Sequence, residues 1–542
     1  MKRFSIFIAL IALCTIVQAI PARRGIIHLQ QPDGTTVEAR LFGDAFYHYY
    51  TTADGQYQLR RNEQGFYERT EMPTENEVRT LRANSPMMVA KQKQGVGDLN
   101  LAPRGLIILV NFSNLKFKTE IAEIDSMING LDYSRSYRTT NELNRKVTIT
   151  ASGSARQYFH DVSMGQYNPT FDVIGPINLT QKYSYYGGNN WSGNDKNPWQ
   201  MIKHACEAVD SIVDFTQYDN DHDGKVDFVY VIYAGYSESD GAGDDYIWPH
   251  NYSLSYAGLS CVVDGKQVDN YACSSELNYG SDQHDGIGTF CHEFSHVLGL
   301  PDLYATDEST HKTMGQWDVL DYGPYNNDGN TPPSYSAYER FYMGWLQPTL
   351  LNTAANVSLA PLAENNVAAM ITSTGTHNME GTNPNPKTFY LLENRQKTGW
   401  DAYLPGNGML ITKISYNQSK WFGNTVNNTA SSMGVDIIEA DGNAPSYSQS
   451  NALNGYFGKL GDTYPAGSDS FTAVPEYEVT NIDVEDGIIT FLVNGGGEAV
   501  ILAVEQTEQP AAITRKIMLN GQILIEHNGI YYDLLGNRHM GF

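Results

Sequence analysis

Residues 291–304 read CHEFSHVLGLPDLY, and this stretch decides the fold of the central part of the chain. His292 and His296 are four residues apart, a spacing that places both side chains on one face of an α-helix. Apolar residues occupy most of the other faces, as expected of a helix inside a core. Two imidazoles so arranged bind zinc and leave a coordination position for water, from which Glu293 can take a proton. The stretch therefore predicts a buried helix with one catalytic zinc ion, where Glu293 is the general base and acid.

A zinc site of this kind needs a third protein ligand, and three residues are candidates. Gly299 lies just past the predicted helix end, where a left-handed backbone turns the chain, so that Asp302 can approach the same metal with a carboxylate oxygen. His311 follows in a polar loop without such a turn, and Glu339 in SAYERFYMGW would come from a second helix. We favour Asp302, because the turn also explains Gly299.

The composition is typical of a folded protein with an acidic surface. The 542 residues are 41% apolar and 18% charged, which suits a sizeable core in roughly three or four domains. The formal charge of −25 argues against nucleic acid and anionic membrane surfaces as partners, because both repel an acidic protein.

The N-terminal stretch MKRFSIFIALIALCTIVQA has the layout of a signal peptide. Lys2 and Arg3 precede an apolar run from Phe4 to Val17, and we expect cleavage after Ala19. This run is short for a membrane span, and no later segment has about 18 uninterrupted apolar residues. We therefore expect a protein that is secreted or at the cell surface, without stable membrane insertion.

The pattern of apolar and turn residues along the chain predicts an α+β fold in several parts. Residues 1–19 are the signal peptide, and residues 20–99 combine short alternating segments with a polar linker. Helical and strand patterns alternate over residues 100–350. In residues 351–497 short strands alternate with Gly, Asn and Pro turns, which is typical of a β-sandwich. Residues 498–542 read as a β tail, with a sorting module as one interpretation.

Four cysteines remain after the signal peptide, and an even number in an oxidising compartment suggests two disulfides. Cys261 and Cys273 flank CVVDGKQVDNYAC, which reads as a hairpin with Asp-Gly at its turn, so we expect them to pair. Cys206 would then pair with Cys291 by exclusion. Free buried thiols are the alternative.

The stretch DNDHDGKVD at residues 219–227 resembles the first half of a calcium loop, with Gly224 at the sixth position. Position twelve is Tyr230 and not a bidentate glutamate, so the loop is no complete EF-hand. We expect a structural Ca²⁺ here. The predicted ligands are the carboxylates of Asp219, Asp221, Asp223 and Asp227 and the backbone carbonyl of Lys225.

The stretch HEFSHVLGLPD resembles the HExxHxxGxxD form of the metzincin zinc peptidases. A closer resemblance is to the M6, immune-inhibitor-A-like family of secreted bacterial metallopeptidases. It extends through GLPDLY, MGQWDVLDYG, YERFYMGW and YLLENRQKTGWDAYLPGNGMLI, and it covers most of residues 100–470. The N-terminal PDGTTVEARLFGDAFYHYYTTADG resembles the propeptide of Bacteroidetes-type members. The resemblance implies a metzincin-like zincin domain behind a β-rich propeptide. It also implies a secreted zymogen of an endopeptidase acting on proteins or peptides, and we expect a monomer.

Two residues after the predicted zinc helix occupy positions that have known roles in metzincins. Metzincins carry a methionine turn beneath the metal, and Leu320 in WDVLDYG stands at that position. Leucine keeps the apolar volume and the methionine binds no metal, so activity should survive. Tyr322 falls where some metzincins place a tyrosine that reaches the zinc or the oxyanion. A packing tyrosine is an equal interpretation in a chain with 36 of them.

A propeptide should block the zinc, and residues 20–205 contain no cysteine that could do so. A carboxylate or histidine must take that role, and Asp44 in LFGDAFYHYY is our candidate.

Two other functions compete with the peptidase. One is a catalytically inactive zincin or a calcium-dependent surface-binding protein that recognises host proteins or glycans. The intact set of His292, Glu293, His296 and Asp302 argues against such decay. The other is a zinc hydrolase acting on non-peptide substrates.

Overall fold

The structure is a computed structural model that describes residues 19–83, 102–140, 145–190, 193–307, 311–373, 375–442, 458–503, 514–519, 522–527 and 530–532. The chain divides into two compact units, Met1–Leu502 and Ala503–Phe542. Helices and strands both occur along the first unit, as the α+β prediction requires.

The N-terminal part is a five-stranded antiparallel sheet whose strands follow chain order. Apolar residues on alternate positions, such as Leu29, Leu41 and Leu59, are buried in the same core as one face of the central sheet. The elements are β1 (Ile27–Gln30), β2 (Thr36–Asp44), β3 (Tyr47–Thr52), β4 (Gln58–Arg61), β5 (Tyr67–Thr70) and α1 (Glu75–Ala83).

The central part contains the predicted zinc helix and a second five-stranded sheet. Its elements are β6 (Arg104–Asn111), α2 (Ile121–Asn129), β7 (Ser134–Thr140), β8 (Lys146–Ser152), α3 (Ala155–Val162), β9 (Thr170–Asn178), α4 (Tyr183–Tyr186), α5 (Pro198–Val209), β10 (Lys225–Val226), β11 (Val229–Tyr233), β12 (His250–Ser253), β13 (Cys261–Val263), β14 (Lys266–Val268), β15 (Asn270–Ser275), α6 (Gly288–Val297) and α7 (Ala337–Tyr342). Short 3-10 helices lie at Phe215–Tyr218, Gly315–Trp317 and Gly323–Tyr325.

The central sheet has the order β12-β15-β11-β6-β9, with only the edge strand β12 antiparallel to its neighbour. Strands β6 and β11 are almost wholly apolar, as expected where a parallel sheet is covered on both faces. Alternate residues serve the two faces: Ile107 and Leu109 share a core with α6, whereas Leu106 and Ile108 share one with α5. The sheet therefore separates α6 from α5.

Helix α6 is buried from Gly288 to His296, as the sequence predicts. Phe290 and Phe294 anchor the helix. Each of their ring centres lies 5.4 Å from that of Phe171, and the ring centre of Phe294 lies 4.8 Å from that of Phe228. Burial of these aromatic rings fixes the orientation of the helix, and with it the direction in which the two histidines point.

Two further sheets follow, with strand orders β16-β18-β19-β20-β21 and β22-β23-β17-β24. Alternate residues of the first sheet serve two cores: Leu391 packs with the α6 core, and Leu392 packs with the second sheet. The elements are β16 (Thr349–Leu350), β17 (Ala355–Leu359), α8 (Leu362–Asn365), β18 (Ala369–Thr372), β19 (Thr388–Arg395), β20 (Gly408–Ser415), α9 (Gln418–Phe422), β21 (Val435–Ile437), β22 (Val479–Glu485), β23 (Ile488–Val493) and β24 (Glu498–Leu502). Three more 3-10 helices are Gly399–Tyr403, Ala430–Ser432 and Leu460–Asp462.

The expected boundary at residues 497 and 498 is corrected by β24. This strand pairs in parallel with β17, so it completes the second of these sheets instead of beginning a tail. The second unit then carries a three-stranded antiparallel sheet of β25 (Thr514–Leu519), β26 (Gln522–His527) and β27 (Ile530–Tyr532). Among the residues described, no helix is both long and apolar enough to cross a membrane.

Candidate metal centre

Three predicted ligands converge at the C-terminal half of α6. Nε2 of His292 lies 3.0 Å from Nε2 of His296, and Oδ1 of Asp302 lies 3.2 Å and 3.1 Å from these two nitrogens. The side chains of all three residues are buried. The spacing that the sequence predicts therefore becomes a three-atom cluster of metal-ligand type.

The hydrogen bonds around this cluster fit a cation. Nδ1 of His292 lies 2.7 Å from the carbonyl of Val319, and Nδ1 of His296 lies 2.9 Å from that of Leu300. Because a carbonyl only accepts, each Nδ1 carries the proton and each Nε2 of a neutral ring offers a lone pair. Within the described part of the chain, the two imidazole nitrogens are the only partners that face Oδ1 of Asp302. Two lone pairs and a carboxylate oxygen thus face one another in a dry site, the donor set that zinc takes.

The electrostatics of the cluster point the same way. Burial lowers the pKa of His292, but the hydrogen bond to Asp302 and the charges of Glu293 and Asp302 outweigh it and raise that pKa. Burial raises the pKa of Asp302, but the two imidazoles hold it below its usual range. The site therefore attracts positive charge.

The turn after α6 brings Asp302 to the histidines. Gly299 has φ +105°, a conformation that favours glycine. The returning loop is then fixed by Asn424, which donates to Oδ2 of Asp302 at 2.6 Å and accepts from the Asp302 N–H at 2.7 Å. Asn424 is not predictable from the sequence, because nothing local marks a residue 122 positions away as a partner.

The other two ligand candidates lie elsewhere. His311 contacts the carbonyl of Asn427 at 2.6 Å. Glu339 is a buried residue of the capping box of α7, where its side chain accepts from the N–H of Ser336 at 2.6 Å. Neither belongs to the cluster of His292, His296 and Asp302.

Glu293, the predicted base, meets the N-terminal segment of the chain. The N–H of Ile20 donates to Oε1 of Glu293 at 2.9 Å, although the two residues are 273 positions apart. Trp248 donates from Nε1 to the carbonyl of Ile20 at 2.9 Å, and the Tyr325 hydroxyl donates to the carbonyl of Pro21 at 2.6 Å. Residues 19–22 are buried. This N-terminal segment therefore packs against the carboxylate of the predicted base.

Asp44 has a different position from the one expected of a latency ligand. Its carboxylate accepts from Arg82 at 2.7 Å, from the Tyr304 hydroxyl at 3.3 Å and from the N–H of Phe46 at 2.8 Å, and it is not in the ligand cluster. The same Tyr304 hydroxyl donates to the carbonyl of Ala19 at 2.6 Å. Asp44 thus contacts the group that holds the N-terminal segment, whereas Ile20 itself meets Glu293.

Leu320 contacts the ligand loop, and Tyr322 contacts the N-terminal segment. Leu320 is fully buried, and its carbonyl accepts from the N–H of Leu303, the residue after Asp302. Tyr322 is 8% exposed, and the guanidinium of Arg24 lies 5.6 Å from the centre of its ring. Leu320 therefore supports the ligand loop by backbone and volume, and Tyr322 lines the region that the N-terminal segment occupies.

The predicted calcium loop brings three of its four carboxylates together. Asp219, Asp221 and Asp227 have oxygens within 4.8 Å of one another, whereas Asp223 accepts from the N–H of Lys225 at 2.8 Å and stays outside the group. Oδ1 of Asp219 is buried and accepts no hydrogen bond from the residues that the structure describes, although Oδ2 pairs with Lys266 at 2.5 Å. One carboxylate oxygen thus remains available for a cation.

The expected disulfides are wrong, because these four cysteines are free and buried. The cysteines that lie close together are also not the pairs that the sequence predicts. Cys206 and Cys261 lie within hydrogen-bond reach of each other, a contact that raises the pKa of Cys206 and lowers that of Cys261. The Asp-Gly turn does join β13 to β14, but Cys273 lies beyond that hairpin, in the central sheet. Cys291 packs on the opposite face of this sheet from Cys206, so the two cannot meet.

The central part of the chain is similar to known peptidases. Residues 93–347 match the model of the immune inhibitor A peptidase M6 catalytic domain, so this region of the chain is similar to that family. It is similar to immune inhibitor A of Bacillus thuringiensis subsp. alesti, with 27% identity over 309 residues, 51% of this chain and 44% of that protein. It is also similar to the pre-pro-metalloprotease PrtV of Vibrio cholerae, with 25% identity over 217 residues, 35% of this chain and 23% of PrtV. The chain spans less than half the length of both relatives.

Proposed function

We propose that the protein is a secreted, zinc-dependent endopeptidase that is made as a zymogen. The observation that carries this proposal is the convergence of His292, His296 and Asp302 beside Glu293 on a buried helix. The match of residues 93–347 to the M6 catalytic domain supports it, because that family gives the site its reaction class.

Each residue of the site has a task in the hydrolysis. His292, His296 and Asp302 would hold the zinc ion, which when bound would supply Lewis-acid polarisation of the scissile carbonyl and lower the pKa of water. Glu293 takes the proton of the attacking water and returns it to the leaving amine. Because Glu293 is buried, its carboxylate has few competing water contacts once a substrate fills the cleft. The peptide carbon is attacked without a covalent enzyme intermediate.

The N-terminal segment supplies latency in this proposal. Cleavage after Ala19 would convert the N–H of Ile20 into an ammonium group beside Glu293, where an ion pair withdraws the base from catalysis. Burial of residues 19–22 closes the cleft to a substrate at the same time. Activation then requires release of this segment.

Casein hydrolysis by the processed, zinc-loaded protein tests the reaction. We expect Glu293→Ala to lower activity at least about a hundredfold while the bound zinc is retained, since Glu293 acts on protons and not on the metal. Chelation by phenanthroline should abolish activity, and added zinc should restore it. Full activity of the Glu293→Ala variant would reject the mechanism.

Latency is tested in the uncleaved chain by replacing residues 20–23 with glycines. We expect casein hydrolysis to appear without proteolysis, because the contacts with Glu293 and Trp248 weaken. The same replacement in the exposed turn at residues 32–35 is the control and should stay latent. Asp44→Ala should raise premature activity through Tyr304, and unchanged latency in both test variants would reject the proposal.

A structural Ca²⁺ at Asp219, Asp221 and Asp227 is part of the same proposal, supported by the open oxygen of Asp219. Millimolar Ca²⁺ should raise the unfolding temperature of the protein, and Asp221→Asn should remove this effect. An equal rise in both proteins would reject the site.

A further inference from the structure

The N-terminal segment places the side chain of Arg23 in an acidic pocket close to the metal centre. One guanidinium nitrogen lies 2.5 Å from Oδ1 of Asp328, and the other lies 3.8 Å from Oδ1 of Asp240. The guanidinium also lies 5.9 Å from the centre of the Tyr325 ring. Arg23 is thus bound by two carboxylates and an aromatic face, a combination that recognises a cationic side chain.

The pocket is built by the catalytic region and not by the N-terminal part. The hydroxyl of Tyr137 donates to Oδ2 of Asp328 at 2.9 Å, and Asn330 donates to that hydroxyl at 2.9 Å. With Arg23 in place, Asp328 is 13% and Asp240 only 7% exposed. All residues that form the pocket therefore lie outside the N-terminal segment.

The removal of Arg23 leaves an excess of negative charge. Asp285 lies in the same region, but burial and the charge of Asp240 raise its pKa to about 8, so it adds little negative charge at neutral pH. Burial lowers the pKa of Arg23, but Asp240 and Asp328 outweigh it and raise that pKa. Shielded carboxylates without a counter-charge are unfavourable, so the open pocket attracts another cation.

The backbone of the segment gives the position of this pocket along a substrate. The nitrogen of Ile20 lies at Glu293, the carboxylate that must protonate a leaving amine. The N–H of Arg23 donates to the carbonyl of Ser239 at 2.8 Å, a contact open to any peptide. Ile20 thus corresponds to the first residue after a cleaved bond, and Arg23 to the fourth.

We propose that Asp240 and Asp328 form a substrate subsite that selects arginine or lysine at the fourth residue after the cleaved bond. The N-terminal segment fills this subsite in the latent protein, and a basic side chain of the substrate replaces it. The inference rests on the proposed peptidase function.

Cleavage of matched peptides tests the subsite. Quenched fluorescent peptides would differ only at this fourth position, as Arg, Ala or Glu, and kcat/KM would be measured with the processed, zinc-loaded protein. We expect kcat/KM for the Arg peptide to exceed that for the Ala peptide at least about tenfold, because arginine gains a charged hydrogen bond. The Glu peptide should have the lowest kcat/KM, because its carboxylate is repelled by the two aspartates. Asp328→Lys should reverse the order of Arg and Glu. The control Asp483→Asn, on an exposed strand far along the chain, should keep it.

A binding measurement separates the subsite from the chemistry. The peptides IPARRG and IPAARG would be titrated calorimetrically against the processed Glu293→Gln variant. We expect about tenfold weaker binding of IPAARG. Equal binding of the two peptides, or equal cleavage of the Arg and Ala substrates, would overturn the subsite alone. Failure to cleave casein and every peptide would overturn the proposed function instead.

Discussion

Asp302 shows how far a single ligand depends on a distant residue. Its Oδ1 faces the two imidazoles, and its Oδ2 and N–H are both held by Asn424. A carboxylate that must meet two nitrogens at once loses much of its affinity when it can rotate, so we regard Asn424 as a positioning residue.

We predict that Asn424→Ala weakens zinc binding about 10- to 100-fold without removing a ligand. Competition with a fluorescent zinc chelator measures this change. Asn352→Ala, an exposed asparagine of the same region, is the matched control. Unaltered zinc affinity in Asn424→Ala would show that Asp302 is held by its loop alone.

Leu320 permits a second prediction at this scale. It is fully buried, so Leu320→Ala should lower the free energy of unfolding by about 2–5 kcal/mol, whereas Leu320→Met should cost less than about 1.5 kcal/mol and keep activity. Urea denaturation and casein hydrolysis check the two values. Loss of activity in Leu320→Met would mean that the side chain shapes the site beyond its volume.

At the scale of elements, the turn between α6 and Asp302 is the feature that sequence reasoning predicts best. The four-residue spacing of His292 and His296 and the glycine after them are local, and α6 ends at Val297 with Gly299 at φ +105°. The Asp264-Gly265 turn is equally local, and it joins β13 to β14 as expected.

We predict that Gly299→Ala destabilises the protein by more than about 1 kcal/mol and reduces zinc content, because alanine disfavours this φ. Thermal unfolding and metal analysis of the purified variant test both effects. Gly280→Ala is the control, since Gly280 has no positive φ and a Cβ there would meet only ordinary contacts. Equal behaviour of the two variants would contradict the role of the turn.

At the scale of the whole molecule, the N-terminal part is fastened to the catalytic region by buried charges. His48 on β3 pairs with Glu238 at 3.1 Å and stacks on Trp248, the residue that holds Ile20. Burial lowers the pKa of His48, but the charge of Glu238, the hydrogen bonds and the charge of Asp195 outweigh it and raise that pKa to about 9.

This raised pKa predicts a pH dependence with a definite sign. The His48 contribution to stability, roughly 2–3 kcal/mol, should be fully present below about pH 6.5 and lost as the pH rises through about 9. The free energy of unfolding of the uncleaved chain, compared with its His48→Gln variant between pH 6 and pH 10, measures it. A difference that stays constant with pH would contradict the ion pair.

The sequence by itself determined the candidate ligands, the candidate base and the direction of the turn, because His292, Glu293, His296, Gly299 and Asp302 lie within one short stretch whose geometry follows from helix periodicity. Only the tertiary structure decided which cysteines are neighbours, since Cys206 and Cys291 lie on opposite faces of one sheet. It also decided what lies in the cleft: Ile20 meets Glu293 across 273 positions, and Arg23 meets Asp328 across 305. Contacts of such separation depend on how sheets stack, and no local pattern of residues records that.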